Sequence, residues 1–283
     1  MKRVIWVLCM AMLSCLGASA QQAAQQPLTM WYSYTVKPGM EAEFMTLVNT
    51  VGAPVRDKLM AQSVVQGWGV EVPLLRGPDS STHYIWVAVN DYAAVGKVTE
   101  AMQAQLAKLA ADEAKAAADP KKKPGMTTAE RIRATVDESK TRDYLTRDLV
   151  FVGAEKLPPA GTTPWVRYNF NKVKPGMNNA YRAAWEKYNK PVLDKLVADG
   201  TLEAFGLSVE DIKTDGNWTH FAWYGCNDAS GLDKVREAFA ADRARRSPEE
   251  REAIGALFGS LTEAHAARSV VSRGIIFKLP GMK

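Results

Sequence analysis

The chain has 283 residues, 47% of them hydrophobic and 24% charged, which is enough to bury one or two cores. Its 36 Lys and Arg nearly balance 31 Asp and Glu, and that balance argues against a nucleic-acid partner despite the basic isoelectric point. Gly-rich phosphate loops, paired-Cys motifs, nucleophile elbows and acidic metal loops are all missing from the sequence, so no motif names a reaction.

Lys2 and Arg3 precede an apolar run from Val4 to Leu16, followed by Ala18-Ser19-Ala20. A basic head, an apolar stretch too short to span a bilayer and an A-x-A site predict a signal peptide over residues 1–20. The expected protein is exported, periplasmic or secreted, and not membrane-embedded. Cys9 and Cys15 would leave with the leader, so Cys226 alone remains and no intrachain disulfide can form. Cys226 itself reads as a small buried strand residue.

The rest of the chain repeats itself. Val36-Lys-Pro-Gly-Met40 recurs as Val173-Lys-Pro-Gly-Met177, and the same offset pairs Pro54 with Pro191, Asp57-Lys58-Leu59 with Asp194-Lys195-Leu196, His83 with His220 and Trp86 with Trp223. Arg142, Arg147 and Phe151 match Arg268, Arg273 and Phe277 at a shorter offset, the difference falling in the Ala- and Lys-rich stretch between about Ala110 and Gly125. A constant register over such a length is the mark of an internal repeat.

Each copy predicts the same elements in order. An aromatic-rich strand over 30–36 turns at Lys37-Pro38-Gly39 into a helix carrying Phe44, Leu47, Val48, Val51, Val55 and Leu59 at helical spacing. Pro54 and Pro191 predict a kink or restart in that helix and its counterpart. Two strands follow near 64–72 and 82–89, with Trp68, Val70 and Val72 alternating against Gly67, Gly69 and Glu71. Asn90-Asp91 caps a second helix striped by Val95, Val98, Met102, Leu106 and Leu109. Capping boxes at Thr127–Glu130 and Ser247–Glu250 open a further helix in each copy. Closing strands are expected over 149–152 and 275–278.

The order β-α-β-β-α-(α)-β is the split-βαβ arrangement. The fold class expected is α+β: two tandem ferredoxin-like βαββαβ units, residues 21–153 and 165–283, joined by a Pro-rich linker over 154–164. Packed sheet-to-sheet, they would form a pseudo-dimeric α+β barrel and hide the sheet face that each unit leaves bare.

This element order and duplication resemble the dimeric α+β-barrel superfamily, within it the antibiotic-biosynthesis-monooxygenase-like group. The resemblance implies a pocket between the sheet and helices of each unit. It also implies a choice among cofactor-free monooxygenases, haem-degrading enzymes, isomerases, stress proteins and ligand sensors that fold alone does not make. Haem-degrading relatives are implied to use a His on the helix after the third strand. No His lies in 92–116 or 229–246, so no cofactor is expected. Haem would have only His265, read as sitting near the end of the last helix.

Candidate site residues follow from position. His83 and His220 open the third strand of each copy, either as structural residues or as polar groups at a pocket mouth, with His220 the candidate general base. Trp86 and Trp223 form, with Tyr84 and Phe221, an aromatic stripe that is either core or pocket wall. On the first strand, the constant offset places Arg167, Asn169 and Asn171 in the columns of Met30, Tyr32 and Tyr34. Matching Trp31 to Trp165 instead would shift that register. Under the first register copy two carries a polar row, with Asn169 the partner of His220, and Arg167 and Tyr224 as ligand contacts. The expected function is binding of a small apolar or aromatic molecule by a monomeric pseudo-dimer. A cofactor-independent monooxygenase-like oxidoreductase and a non-catalytic envelope interaction module are the alternatives.

Overall fold

The computed structural model describes residues 26–76, 81–119, 121, 125–156, 158–159, 161–214 and 217–282. The expected signal peptide and its cleavage site lie outside the described residues.

Eight strands close into one antiparallel barrel: β1 (Leu28–Tyr34), β2 (Val65–Pro73), β3 (His83–Val89), β4 (Arg142–Gly153), β5 (Trp165–Asn171), β6 (Ala204–Glu210), β7 (His220–Cys226) and β8 (Arg268–Lys278). Their order around the barrel is β1-β3-β2-β8-β5-β7-β6-β4. The first-half strands β4, β1, β3 and β2 form one run, and β8, β5, β7 and β6 form the other. Two seams join them, β2 with β8 and β4 with β6, both by backbone hydrogen bonds.

The sheet-to-sheet packing expected from the sequence is therefore corrected. The runs meet edge to edge, and the faces that would have stacked instead surround a common interior. Closure leaves no strand edge unpaired among the described residues, the condition that open sheets must otherwise manage with charge or cover. It also explains why β4 and β8 are far longer than expected. Residues Arg142–Arg147 of β4 pair with β1, while Thr146–Gly153 run on to pair with β6. In β8, Arg268–Arg273 pair with β5 and Ser272–Lys278 with β2. Each strand thus crosses from its own run to the neighbouring one.

The helices lie outside. In the first half α1 (Glu41–Leu47), one π-helical turn (Val48–Gly52) and α2 (Ala53–Ala61) follow β1. The second half places α5 (Asn178–Tyr188) and α6 (Lys190–Ala198) at the same point. Pro54 and Pro191 stand in the first turns of α2 and α6, where a missing N–H costs nothing. The helices after β3 and β7 are α3 (Tyr92–Ala117) and α7 (Ser230–Ala244); α4 (Thr128–Thr135) and α8 (Pro248–Leu261) come next. Asp91 caps α3 by accepting from the Ala94 N–H, and both expected capping boxes are formed. Gly39 and Gly176 take φ of +81° and +80° in the turns leading to α1 and α5, a conformation that disfavours any residue with a Cβ.

Three apolar clusters result. One lies between the first-half sheet and α1–α4, around Phe44, Val48, Trp68, Val87 and Val98. A second lies between the second-half sheet and α5–α8, around Trp185, Leu193, Phe205 and Val235. The third fills the barrel interior with Val166, Tyr168, Trp218 and Phe221, flanked by Trp31, Tyr144, Phe170 and Trp223. Among the described residues no helix is long and apolar enough to cross a membrane.

Candidate active site between the second-half sheet and its helices

Strand β5 pairs with β7 so that Asn169 stands beside Ala222, Arg167 beside Tyr224 and Asn171 beside His220. In β1, Tyr32 stands beside Ile85 and Tyr34 beside His83. The constant register therefore holds on the first strand, and Tyr168, not Trp165, is the positional counterpart of Trp31. Strand alternation sends Val166, Tyr168 and Phe170 into the barrel, leaving Arg167, Asn169 and Asn171 facing the helices.

That polar row floors a pocket of about 660 Å³. Tyr181, Trp185 and Tyr188 of α5, Phe239 of α7 and Ile254 and Phe258 of α8 form its walls, and Tyr224 joins the floor. The size and the mostly apolar lining with a few convergent polar groups suit a small-molecule site. Phe258 meets Tyr181 edge-on at 6.0 Å and Tyr188 at 6.5 Å. On the floor, Arg167 Nε donates to Asn169 Oδ1 at 3.1 Å, and Ser269 Oγ donates to the same oxygen at 2.8 Å. Asn171 Nδ2 donates to the Tyr181 hydroxyl at 3.1 Å. Burial pushes the Tyr181 phenol up to about 12, against the Asn171 bond. The Tyr224 phenol is also raised by burial, with Arg167 pulling it back.

The rim is cationic. Arg236, Arg243, Arg246 and Arg251 border the opening together with Asp242. Asp242 is engaged by Arg246 at 2.7 Å, and Arg246 also lies over the Tyr188 ring at 5.4 Å. The surplus of guanidinium favours an anionic guest.

The structure thus gathers Arg167, Asn169 and Tyr224 in one pocket. The other sequence candidates lie elsewhere. His220 is fully buried, 0% exposed, behind Tyr181 at 5.3 Å between ring centroids. Its Nδ1 pairs with the Thr219 hydroxyl at 2.9 Å, and its Nε2 has no protein partner among the described residues. Burial holds it down to about 4. It is a neutral imidazole that does not line the pocket, which corrects the general-base reading. His83 is equivalent: 3% exposed, bonded to Thr82 Oγ1 at 2.9 Å, stacked 4.6 Å from Phe44 and lowered to about 4, chiefly by burial. Trp86 and Trp223 lie on the opposite sheet face, inside the barrel, where Trp223 Nε1 donates to Ser208 Oγ at 3.2 Å. The sheet separates them from the pocket, so the single ligand set read from sequence divides in two. His265 stands in an exposed turn at φ +65°, beyond the end of α8. The helix stripe that was to carry it stops at Leu261, so no helix presents it as an axial ligand. Among the described residues no three His, Cys, Asp or Glu gather as a metal site.

The first half carries larger side chains at the same positions. Tyr32 and Tyr34 replace the amide row, and Arg56 stands where α6 has Leu193. Arg56 is 5% exposed, with Nε and Nη1 finding no protein partner among the described residues. Its guanidinium lies 5.4 Å from the Trp68 ring and passes so close to Gly52 that a Cβ there would meet Nη1. Sequence reasoning passed over Arg56; its signal was a charged residue on the helix stripe where the other copy has Leu. A buried charge without a partner loses more solvation than it regains. Arg56→Leu should therefore raise stability by about 1–3 kcal/mol, the forfeited cation–π attraction being about 1 kcal/mol. A lower thermal midpoint for Arg56→Leu than for the natural chain would contradict this.

The fold defines the class: a mixed α+β protein built on a closed antiparallel eight-stranded barrel. No family model and no curated protein matches the chain. Solved structures do. One is a candidate monooxygenase from Fusobacterium nucleatum subsp. nucleatum, at 12% identity over 91% of this chain and 96% of that one, with a TM-score of 0.55. Another is a candidate monooxygenase from Lactobacillus acidophilus NCFM, at 9% identity over 91% and 98%, TM-score 0.52. A third is an anthrone oxidase-like protein, at 10% identity over 92% and 95%, TM-score 0.50. At these identities the likeness is one of fold.

Proposed function

We propose that the protein binds a planar aromatic molecule bearing an acidic group in the pocket between β5–β7 and α5–α8. The observation that carries this reading is the Arg167–Asn169–Asn171 row lying under an aromatic wall inside an arginine rim. The rings match the guest's faces, and Arg167 meets its phenolate, enolate or carboxylate. We read the two halves as a duplicated ferredoxin-like unit in which the second half kept an open pocket and the first closed its own with Tyr32, Tyr34 and Arg56.

A second reading is oxidation of that guest by dioxygen without a cofactor, in keeping with the antibiotic-biosynthesis-monooxygenase-like group. The fold shared with candidate monooxygenases and an anthrone oxidase-like protein favours it. An activated methylene would become a carbonyl. One oxygen atom of dioxygen stays on that carbon, and the other leaves as water with the two methylene hydrogens, so the carbon is oxidised and dioxygen reduced in balance. Arg167 would stabilise the enolate that reacts with oxygen, and the aromatic wall would exclude water. The guest's own acidity supplies the anion, so the enclosed His220 is not required.

Calorimetric titration with anthraquinone-2-carboxylate tests binding. Arg167→Ala should weaken it at least tenfold, as expected for loss of a hydrogen bond to a charged group worth about 1.5–3 kcal/mol. Binding that is absent, or indifferent to Arg167→Ala and Asn169→Ala, would remove the proposal. Oxygen uptake with anthrone tests the second reading: uptake no faster than in buffer eliminates anthrone oxidation while leaving binding to its own test.

A further inference from the structure

The inside of the barrel carries a second cavity, separated by the sheet from the pocket above. It measures about 410 Å³ and opens at the end where β1 and β5 finish. One side of this end is closed by aromatic rings. Phe170 and Trp218 lie 5.4 Å apart, each within 5.5 Å of Phe221, and Trp218 also meets Tyr144 at 5.4 Å. On the other side the ladder positions of Phe170 and Phe221 are taken by Ser33 and Tyr84. Ser81, just before β3, stands in the column of Trp218. Ser33 and Ser81 hydrogen-bond to one another. Two serines thus stand where the second half has two large rings, and the cavity is the space those rings would fill.

Its chemistry is distinctive. Trp31, Tyr84, Tyr144 and Tyr168 add aromatic surface, and Lys140, Arg142 and Arg268 stand at the mouth. Arg268 lies over the Phe170 ring at 4.6 Å, and Arg142 is held by the Ser139 and Thr141 carbonyls at 2.8 and 2.7 Å. None of the three cations makes an ion pair among the described residues. The nearby acids are engaged: Glu210 accepts from Thr214 N and Oγ1 at 3.0 and 2.6 Å, and Glu71 accepts from the Tyr168 hydroxyl at 2.9 Å. A flat apolar slot with guanidinium groups at its entrance takes a flat apolar body with an anionic end.

We propose that this end of the barrel is a second binding site, for an aryl carboxylate of one or two rings. The rings occupy the gap above Ser33 and Ser81, and the carboxylate meets Arg268 and Arg142. Cation-bearing mouths of this kind also raise the local concentration of anions, so binding weakens with salt.

The test is calorimetric titration of the chain with 2-naphthoate at low ionic strength. Ser33→Phe combined with Ser81→Trp gives the first half the rings that the second half carries, and should abolish binding at this site. Arg268→Gln, at an exposed position, should weaken 2-naphthoate at least tenfold and leave 2-naphthamide unchanged. Asn169→Ala, which acts in the pocket on the other sheet face, should leave the Arg268-dependent part of 2-naphthoate binding unchanged. Circular dichroism reports whether the double variant folds; if it does not, Arg268→Gln decides. No binding of 2-naphthoate, or binding lost with Asn169→Ala and untouched by Arg268→Gln, overturns the proposal.

Discussion

Glutamine at position 71 is expected to leave stability unchanged near pH 4.5 and to raise it by about 3 kcal/mol near pH 8. Glu71 points into the barrel from β2 and is 3% exposed. The Tyr168 hydroxyl reaches both its oxygens at 2.9 Å. Burial pushes its carboxyl up from 4.5 to about 7, with hydrogen bonds from Tyr168 and Trp86 opposing. Between those two values the folded chain keeps a proton that the unfolded chain has released. The unfolded state then binds fewer protons, so stability falls as pH rises through the window. A neutral amide mimics the protonated acid and escapes the loss. The natural chain hides this trend. His83 and His220, lowered to about 4 by burial, contribute stability that is present above 6.5 and lost as pH falls toward 4. Asp148, raised to about 6 by burial, acts in the same sense as Glu71 over a lower window. The difference between Glu71→Gln and the natural chain, measured by urea unfolding from pH 4.5 to 8, isolates the one carboxyl. A difference that stays flat with pH would contradict the buried, proton-holding Glu71.

Alanine at Gly69 or Gly206 should cost about 3 kcal/mol each, the upper part of the range for overpacking. A Cβ on Gly69 would lie 2.6 Å from the Ile276 carbonyl oxygen and 2.7 Å from Trp86 Nε1. On Gly206 it would lie 2.6 Å from Trp223 Nε1 and 2.9 Å from the Val150 oxygen. Ile276 and Val150 belong to β8 and β4, the strands across the two seams. The ladder register shifts beside both places, between Val70 and Glu71 and between Asp148 and Val150. A methyl group there must move a seam or an indole. Replacing Trp223 by Leu removes the indole but not the carbonyl, so Gly206→Ala should cost less in that background without becoming neutral. Urea midpoints of the four chains complete the cycle. A cost below about 1 kcal/mol for both glycines would show that the seams yield more readily than these contacts allow.

Much of the local structure was legible in the chain because its causes are local. Thr127 and Glu130, or Ser247 and Glu250, satisfy each other's backbone within one turn. Pro54 and Pro191 restart their helices wherever those helices dock. Arg167 and Asn169 came into view only by reading one half against the other under one of two registers, and the β5–β7 ladder selects that register. Glu71 was seen only as the polar alternate of a strand. Its partner Tyr168 is 97 residues away, and no spacing rule links them. The same holds for Asp148 and Ser208, bonded at 2.5 Å across the β4–β6 seam.

The sequence by itself determined the order of elements and the helix starts, and offered the polar row of β5 under one of two registers. These depend on periodicity, capping and turn chemistry within a few residues. Tertiary structure alone decided that the two runs of strands join edge to edge, that β4 and β8 extend across the seams, and which sheet face is inside. It also parted Trp86 and Trp223 from Arg167 and Asn169, enclosed His220, and left one end of the barrel open above Ser33 and Ser81. Those outcomes depend on which distant segments meet. A strand carries two faces at a period of two, and only closure of the barrel assigns one of them to a cavity and the other to the helices.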